Sequence, residues 1–292
     1  MNDPLVSVLM TAYNRDKFIG EAIESVLASS YTNFELIIVD DDSKDNTVNI
    51  ARSYAAIDKR IQLYINEKNL GDYPNRNKAA SYAKGKYLKY LDADDAIYKY
   101  TLSIMVDCME TYPEAALGVS VYNVNPDKPF PQISTPADTY REEYLAKGFL
   151  ASGPSAAIIK KECFDKAGGF SGKKFIGDTE LWHELAWNYS IIKLPPHLIW
   201  WRQHAGQQIE QERKNVEIIN IRYQFSIQQL SNVKSLFNKE ELNYAFKRIK
   251  RNHARGILKM ILKENAKTGY KIWKMSGLTM QELLSGFRPY IF

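Results

Sequence analysis

KYLKYLDADD, residues 86–95, is a short apolar run that ends in three carboxylates, Asp92, Asp94 and Asp95. Carboxylates a few ångströms apart cannot all stay ionised without a counter-charge, so a cation is expected beside them. Oxygen ligands of this kind suit a hard divalent ion such as Mg2+ or Mn2+. Taken alone, the run also fits a solvated acidic turn, so its meaning depends on the rest of the chain.

Upstream of this run, apolar segments typical of strands alternate with segments of helical periodicity. The predicted strands are 6–10, 34–39 and 61–65, and the predicted helices are 17–28, 46–56 and 75–83. This alternation predicts β-α-β units, hence an α/β fold with a Rossmann-like, mostly parallel sheet flanked by helices. A second acidic cluster, residues 40–42, also follows a predicted strand. Because the carboxyl ends of parallel strands share one edge of a sheet, the two clusters are expected to converge.

Composition excludes several classes of protein. The chain has 292 residues, 45% of them hydrophobic, which is enough for a large packed core and unlike a disordered protein. Two widely spaced cysteines, Cys108 and Cys163, argue against a disulfide scaffold and fit a reducing cytoplasm. The N-terminal residues resemble no signal peptide, and no apolar run is long enough to span a membrane.

The C-terminal part of the chain has a different pattern. A proline-containing loop at 125–138 is expected beside the site, and after Gly206 the strand pattern gives way to helical stripes. We therefore predict a catalytic domain at 1–206 and a basic α-helical region at 207–292. From residue 234 onward, thirteen Lys or Arg stand against four Glu. Such helices fit either a solvated packing element or a surface that meets anionic lipid; no nucleic-acid motif accompanies the charge.

Several blocks together resemble the inverting glycosyltransferases of family 2, which have the GT-A fold. The blocks are VSVLMTAYNR (6–15), FELIIVDDDSKDNT (34–47), the segment 69–95 that ends in the D-x-D sequence, GGF (168–170), FIGDTELW (175–182) and WWRQHAG (200–206). The resemblance covers about residues 4–206. It implies transfer of a sugar from a nucleoside diphosphate sugar, UDP-linked in our interpretation, to a saccharide or lipid-linked hydroxyl in synthesis of a bacterial-type surface glycan.

The resemblance also implies how the donor is bound. Asp40 would accept a hydrogen bond from the nucleotide base, with Thr11 and Tyr13 framing the ring. Arg76 would serve the donor as well, or form a structural ion pair with Asp40 or Asp42. The remaining donor and metal residues implied are Asp94 as the principal ligand of Mn2+ or Mg2+, Asp92 as a ribose or second metal contact, Arg202 on the diphosphate and His204 on the metal. The role of Asp95 stays open between metal binding and capping of the next helix.

On the acceptor side, the resemblance implies Asp178 as the general base. Its position also fits a helix N-cap. The base must be ionised before it takes the proton of the attacking hydroxyl, so a low or modestly raised pKa is expected. Trp182 is the candidate for stacking on an acceptor sugar, although it and the tryptophans at 187, 200 and 201 are most simply core residues.

Two departures from the family pattern stand out. Asp42 stands where many members have Gly in the second block. Gly177 stands where many have the Glu of a Glu-Asp pair, so the assignment of the base depends on a single carboxylate. Two other functions compete with a glycosyltransferase. One is a nucleotidyltransferase, which would carry a Gly-rich phosphate loop after the first strand where TAYN (11–14) stands. The other is a nucleotide-sugar-binding protein with an inactive site.

Overall fold

The computed structural model describes residues 3–121, 128–204 and 216–288, with the side chains of 216 and 217 excepted. The predicted domain boundary near Gly206 and residues 125–127 of the predicted proline-containing loop lie outside this described part.

Ten strands occur in the described residues. They are β1 (Val6–Ala12), β2 (Phe34–Asp40), β3 (Ile61–Ile65), β4 (Tyr87–Asp92), β5 (Ala96–Ile97), β6 (Ala115–Ser120), β7 (Gln132–Ser134), β8 (Ala157–Lys160), β9 (Ser190–Leu194) and β10 (Ile199–Trp200). The helices of the described ranges are α1 (Ile19–Leu27), α2 (Thr47–Ile57), α3 (Asp72–Tyr82), α4 (Thr101–Thr111), α5 (Pro136–Leu145), α6 (Lys161–Lys166), α7 (Gly177–Asn188), α8 (Val216–Asn232), α9 (Lys239–Lys259), α10 (Ala266–Ser276) and α11 (Met280–Leu284).

Eight of the strands form one sheet in the order β3-β2-β1-β4-β8-β6-β9-β7. The pairs β3–β2, β2–β1, β1–β4 and β6–β9 are parallel, whereas β8 and β7 run antiparallel to their neighbours. Strands β1 and β2 are apolar along almost their whole length and buried, as expected for parallel strands covered on both faces. The predicted α/β fold with a mostly parallel sheet is confirmed.

The strand register determines where the acidic clusters lie. Thr11 at the end of β1 pairs with Asp92 of β4, and the next residue, Ala12, pairs with Asp40 of β2. Since neighbouring strands are about 5 Å apart, Asp40 and Asp92 lie two strand spacings from each other at one edge. The predicted convergence of the two clusters is therefore confirmed.

Some element boundaries differ from the sequence prediction. The apolar run at 117–124 predicts a strand; the structure has β6 at Ala115–Ser120, and residues 122–124 of the run lie outside the described part. The run from Gly153 to Ile159 also predicts a strand, but Pro154–Ala156 form a turn of 3-10 helix before β8. The predicted N-cap role of Asp178 is wrong, because α7 begins at Gly177 and Ile176 holds the cap position.

The chain divides into two compact units. The first comprises Met1–Pro136 and Phe149–Arg202, and the second comprises Ala137–Gly148 and Gln203–Phe292. In the first unit, a large apolar core includes Ile19 and Ile23 of α1 and Leu102 and Met105 of α4. The division of the chain into domains at residue 206 stays a prediction.

In the second unit, helices α8–α11 enclose a smaller core around Ala254, Ile257 and Ile272. Asn238 starts α9 with a capping box, in which its side chain accepts from the backbone of Glu241 and Glu241 accepts in return. No helix in the described ranges combines the length and the apolar character that crossing a bilayer requires.

Candidate functional site

Asp92 ends β4 between a cation and a hydroxyl. Nη2 of Arg76 lies 2.7 Å from its Oδ1, and its backbone N–H donates to Oγ of Ser155 across 3.1 Å. Burial alone would raise the pKa of Asp92, but Arg76 and Ser155 outweigh burial and lower it. The alternative considered for Arg76, an ion pair with Asp40 or Asp42, does not form, since its partners are Asp72 and Asp92.

Asp94 and Asp95 each accept a hydrogen bond from an arginine. Nε of Arg15 donates to Oδ2 of Asp94 across 2.9 Å. The backbone N–H of Arg202 donates to Oδ1 of Asp95, and Nε of Arg202 donates to the carbonyl of Asp94. Asp95 therefore binds Arg202, which follows β10, and does not cap α4, whose cap residue is Tyr100. Burial, followed by the charges of Asp92 and Asp94, raises the pKa of Asp95 to about 7.

A buried lysine underlies this cluster. Lys89 of β4 is fully buried, and its Nζ donates to the carbonyls of Tyr90 and Ser155. Burial lowers the pKa of Lys89 to about 7 although Asp92 and Asp95 act in the opposite direction. A lysine in the middle of a buried strand is costly unless carboxylates compensate it, so its presence here fits the acidic strand end.

The three aspartates at the end of β2, residues 40–42, lie in three different environments. Asp40 is buried and accepts hydrogen bonds from the backbone and hydroxyl of Ser43; burial raises its pKa and these bonds partly offset the shift. Asp41 accepts from the backbone N–H groups of Leu70 and Gly71, which immediately precede α3. Asp42 has a φ of +64°, a left-handed conformation that Gly and Asp tolerate, which explains how it replaces a glycine.

Asp178 lies in the first turn of α7, against α3. The hydroxyl of Tyr73 donates to its Oδ1 across 3.1 Å. Burial raises the pKa of Asp178, and the hydrogen bonds from the Thr179 backbone and from Tyr73 partly offset the shift. Gly177 makes this contact geometrically feasible, because a Cβ there would come within 2.7 Å of the Tyr73 ring. The departure from Glu-Asp to Gly177-Asp178 thus leaves room for a tyrosine beside the carboxylate.

Helix α3 connects the two sets of carboxylates. Tyr73 binds Asp178, and Arg76, three residues later, binds Asp92. Side chains three residues apart on a helix are neighbours, with about 5–6 Å between their Cβ atoms. The structure therefore brings Asp178 and Asp92 to the same turn of one helix.

The remaining predicted residues have mixed outcomes. Thr11 is at the sheet edge and Tyr13 is exposed on the following loop, so both flank the end of β2. Trp182 is fully buried and its indole donates to the carbonyl of Ser152, which removes it from any acceptor surface. The tryptophans at 187, 200 and 201 are each more than 40% exposed, so the prediction that they are core residues is wrong. His204 belongs to the second unit, and its role as a metal ligand stays a prediction.

The acidic edge offers part of a ligand set for a divalent cation. Within residues 3–121, 128–204 and 216–288, no three His, Cys, Asp or Glu side chains converge to hold a metal by themselves. Asp92 and Asp94 nevertheless supply hard oxygen ligands, and their negative charges add to burial in raising the pKa of Asp95. One or two carboxylates are the usual protein share of an Mg2+ site that substrate phosphates complete. The residues fit such a shared site rather than a closed cage.

Four residues with contacts at the site were not found from the sequence: Arg15, Tyr73, Lys89 and Ser155. The contacts that bring these residues to the site join positions 63 to 105 residues apart along the chain, so no local sequence pattern marks them. The one local signal was the charge of Lys89 inside an apolar strand.

Several curated proteins similar in sequence to this chain are named glycosyltransferases. The family model described as Glycosyl transferase family 2 matches residues 7–168. The UDP-Glc:alpha-D-GlcNAc-diphosphoundecaprenol beta-1,3-glucosyltransferase WfgD of Escherichia coli is 39% identical over 109 residues, which are 37% of this chain and 42% of that protein. The chain spans less than half the length of the first curated relatives that it matches.

Two solved structures share the fold. One is TarS 1–349 of S. aureus in complex with UDP-GlcNAc, with a TM-score of 0.62, 17% identity, and coverage of 96% of this chain and 78% of that one. The other is the mannosyltransferase PcManGT of Pyrobaculum calidifontis with GDP-Man and Mn2+, with a TM-score of 0.62, 17% identity, and coverage of 98% and 86%. At this identity the two structures bear on the fold alone. The family match covers more than half of the chain and confirms the resemblance seen in the sequence motifs. The chain therefore belongs to glycosyl transferase family 2.

Proposed function

We propose that this chain transfers a sugar, with inversion, from a nucleoside diphosphate sugar to a hydroxyl of a saccharide or lipid-linked acceptor. The observation that carries the proposal is the arrangement on α3, where Arg76 contacts Asp92 and Tyr73 contacts Asp178 within one helical turn. The carboxylate proposed for the donor and the one proposed for the acceptor thus contact the same turn of one helix. A direct displacement requires one set of groups that holds the leaving diphosphate and a separate base that takes the proton of the attacking hydroxyl.

On the donor side, Asp94 and Asp92 would hold an Mn2+ or Mg2+ ion together with the diphosphate. When bound, such an ion offsets the negative charge that develops on the leaving diphosphate. Arg76 holds Asp92 ionised and in place, and Arg202 joins the backbone of Asp94 to the carboxylate of Asp95. Asp40, Thr11 and Tyr13 would receive the base and ribose next to this edge.

On the acceptor side, Asp178 would take the proton of the attacking hydroxyl. Burial raises its pKa and makes it a stronger base once ionised, while the Tyr73 hydrogen bond stabilises the ionised form. Attack on the anomeric carbon from the face opposite the diphosphate would give the inverted product. The base moves one proton and forms no covalent bond to the sugar.

The relatives guide the choice of substrates. The printed name of WfgD specifies a UDP-Glc donor and an acceptor linked to diphosphoundecaprenol. A UDP-linked donor and a lipid-linked acceptor are accordingly the first substrates to test here, in the setting of bacterial-type surface glycan synthesis. The two cysteines, Cys108 and Cys163, are both free and buried, which supports our placing the reaction in the cytoplasm.

Contact with a membrane surface would bring a lipid-linked acceptor to the site. Only some of the basic residues near the C-terminus are available for such contact. Arg248 donates to backbone carbonyls of residues 143, 144 and 146, and Lys250 pairs with Glu282, so both have structural roles. Lys267, Lys271 and Lys274 lie exposed on α10, which contains no acidic residue. We propose that this face of α10 meets anionic lipid, to which each nearby lysine is attracted.

Donor binding tests the proposal. Calorimetry with UDP-Glc, UDP-GlcNAc and GDP-Man, with Mn2+ or with EDTA, should show binding of one donor that depends on the ion. Asp94→Asn should weaken that binding by about tenfold or more, the value of a charged contact. Asp107→Asn, an exposed position on α4, is the matched control and should change nothing. Equal binding with EDTA and with Mn2+ would overturn the role of Asp94, and absence of binding by any donor would overturn the proposed function.

A further inference from the structure

Arg15 contacts the acidic edge in a way that the other two arginines do not. Its Nε lies 2.9 Å from Oδ2 of Asp94, and its Nη1 donates to the carbonyls of Tyr13 and Asn14. Its backbone N–H donates to Oγ1 of Thr47. The guanidinium therefore links the loop after β1, where the nucleotide is proposed to lie, to the carboxylate proposed to bind the metal.

The other arginines are more firmly fixed. The Arg76 side chain is 8% exposed and pairs with both Asp72 and Asp92. The Arg202 side chain is 16% exposed, pairs with Glu21 and lies over the rings of Phe18 and Trp200. The Arg15 side chain is 28% exposed, and the described residues show it in an ion pair with Asp94 alone. Because Arg15 is the most exposed of these three cations and has a single carboxylate partner, it can exchange that partner most easily.

We infer that Arg15 is an exchangeable counter-ion. Without a donor it neutralises Asp94, the carboxylate proposed to bind a divalent cation; with a donor it moves to the phosphate oxygens. A guanidinium suits this exchange because its planar N–H groups match carboxylate and phosphate alike. No bond is made or broken and no proton moves, so the exchange is a change of ion-pair partner only. The inference rests on the proposed function.

The exchange has a consequence for binding order. A divalent cation without nucleotide must compete with Arg15 for Asp94, so it binds weakly. When the diphosphate is present, the displaced Arg15 gains a new partner and the competition is offset. Metal and nucleotide should therefore bind with positive cooperativity, and this coupling is reciprocal by linkage.

Substitution of Arg15 separates this role from a merely structural one, because it shifts the two affinities in opposite directions. In Arg15→Gln, binding of Mn2+ alone, followed by the EPR signal of free Mn2+, should become about threefold to tenfold tighter, because a partly buried ion pair no longer competes. Binding of UDP or GDP with Mn2+, followed by calorimetry, should become about tenfold weaker, because a charged phosphate contact is lost. Arg52→Gln, an exposed arginine on α2, is the matched control and should leave both affinities unchanged.

Arg15→Lys provides the second variant. It keeps the positive charge, so its affinity for Mn2+ alone should stay near that of the wild type, whereas nucleotide affinity should fall because the planar fork is lost. If Arg15→Gln weakens the binding of both Mn2+ and nucleotide, or changes neither affinity, the exchange is wrong while the proposed function stands. If the unsubstituted protein binds neither nucleotide, the proposed function fails and the exchange fails with it. If it binds a nucleotide equally with EDTA and with Mn2+, the role of Asp94 and the exchange fail, whereas donor binding stands.

Discussion

The hydroxyl of Tyr73 donates to Oδ1 of Asp178 across 3.1 Å, in the space that Gly177 leaves open by having no side chain. This hydrogen bond stabilises the ionised form of a carboxylate whose pKa burial raises. Tyr73 is therefore a positioning residue for the proposed base. Removal of its hydroxyl should therefore act mainly on the pH dependence of the transfer reaction.

Tyr73→Phe should shift the pH dependence of transfer. Activity requires ionised Asp178 and so falls as pH drops through its raised pKa. Loss of the hydrogen bond raises that pKa further, so the acidic limb of the kcat/KM profile should move up by about one pH unit. Tyr64→Phe, which removes a hydroxyl bonded to Gln62 on β3, should leave the profile unchanged. An unshifted limb in Tyr73→Phe would contradict the assignment.

Asp41 is expected to stabilise the start of α3. Its carboxylate accepts from the Asn66 side chain and from the backbone N–H groups of Leu70 and Gly71. Asp41→Asn should lower the free energy of unfolding by about 2 kcal/mol, since buried donors lose a charged partner. Asp42→Asn is the matched control, because Asn tolerates the same left-handed backbone and only an exposed pair with Lys44 is lost. Chemical denaturation that shows equal effects for the two variants would refute this role.

His253 should make the second unit sensitive to acid. It is buried and stacked on Tyr223 with the ring centroids 4.0 Å apart, and burial lowers its pKa from 6.5 to about 4. The unfolded chain therefore takes up a proton first, so stability that is present above pH 6.5 is lost as pH falls towards 4. Between pH 7 and pH 5 this amounts to about 2 kcal/mol.

His253→Phe retains an aromatic ring for the stack and removes the titrating group. Denaturant unfolding at pH 7 and at pH 5 should show a smaller loss of stability in the variant than in the wild type. The remaining acid dependence should include His183, whose pKa burial lowers to about 3. An identical loss in both proteins would show that His253 does not contribute.

The lysines of α10 provide the test of membrane contact. In vesicles with anionic lipid, the full chain should float, and Lys267→Gln, Lys271→Gln and Lys274→Gln combined should weaken binding by about 1 kcal/mol for each lysine. The control combines Lys59→Gln, Lys68→Gln and Lys84→Gln, three exposed lysines of the first unit. Equal flotation of both triple variants, or flotation independent of anionic lipid, would eliminate the α10 face.

The sequence predicted the acidic edge well, because its cause is local. Strands that end in carboxylates can be recognised from short apolar runs, and the parallel topology then requires Asp40 and Asp92 to meet at one edge. The sequence could not predict which cations balance them. Arg15 and Asp94 are 79 residues apart, and Tyr73 and Asp178 are 105 residues apart, so these contacts depend on the folded packing.

Two other errors have physical causes of the same kind. Asp178 follows a glycine that is itself helical, so the helix starts two residues earlier than an aspartate cap would place it. Trp182 faces the core next to Ser152, whereas the exposed tryptophans occur at the end of α7 and around β10. Helical periodicity alone does not distinguish a buried indole from one at the rim of a site.

The transfer rate of Asp178→Asn bears most directly on the proposed mechanism. The amide keeps the size of the side chain but cannot accept a proton, so the transfer rate to acceptor should fall at least a thousandfold, within the ~10²–10⁴ range of general base catalysis. Donor affinity with Mn2+, measured by calorimetry on the same preparation, should stay within about twofold. Transfer at the wild-type rate in Asp178→Asn would contradict the central claim that this carboxylate is the base of an inverting glycosyl transfer.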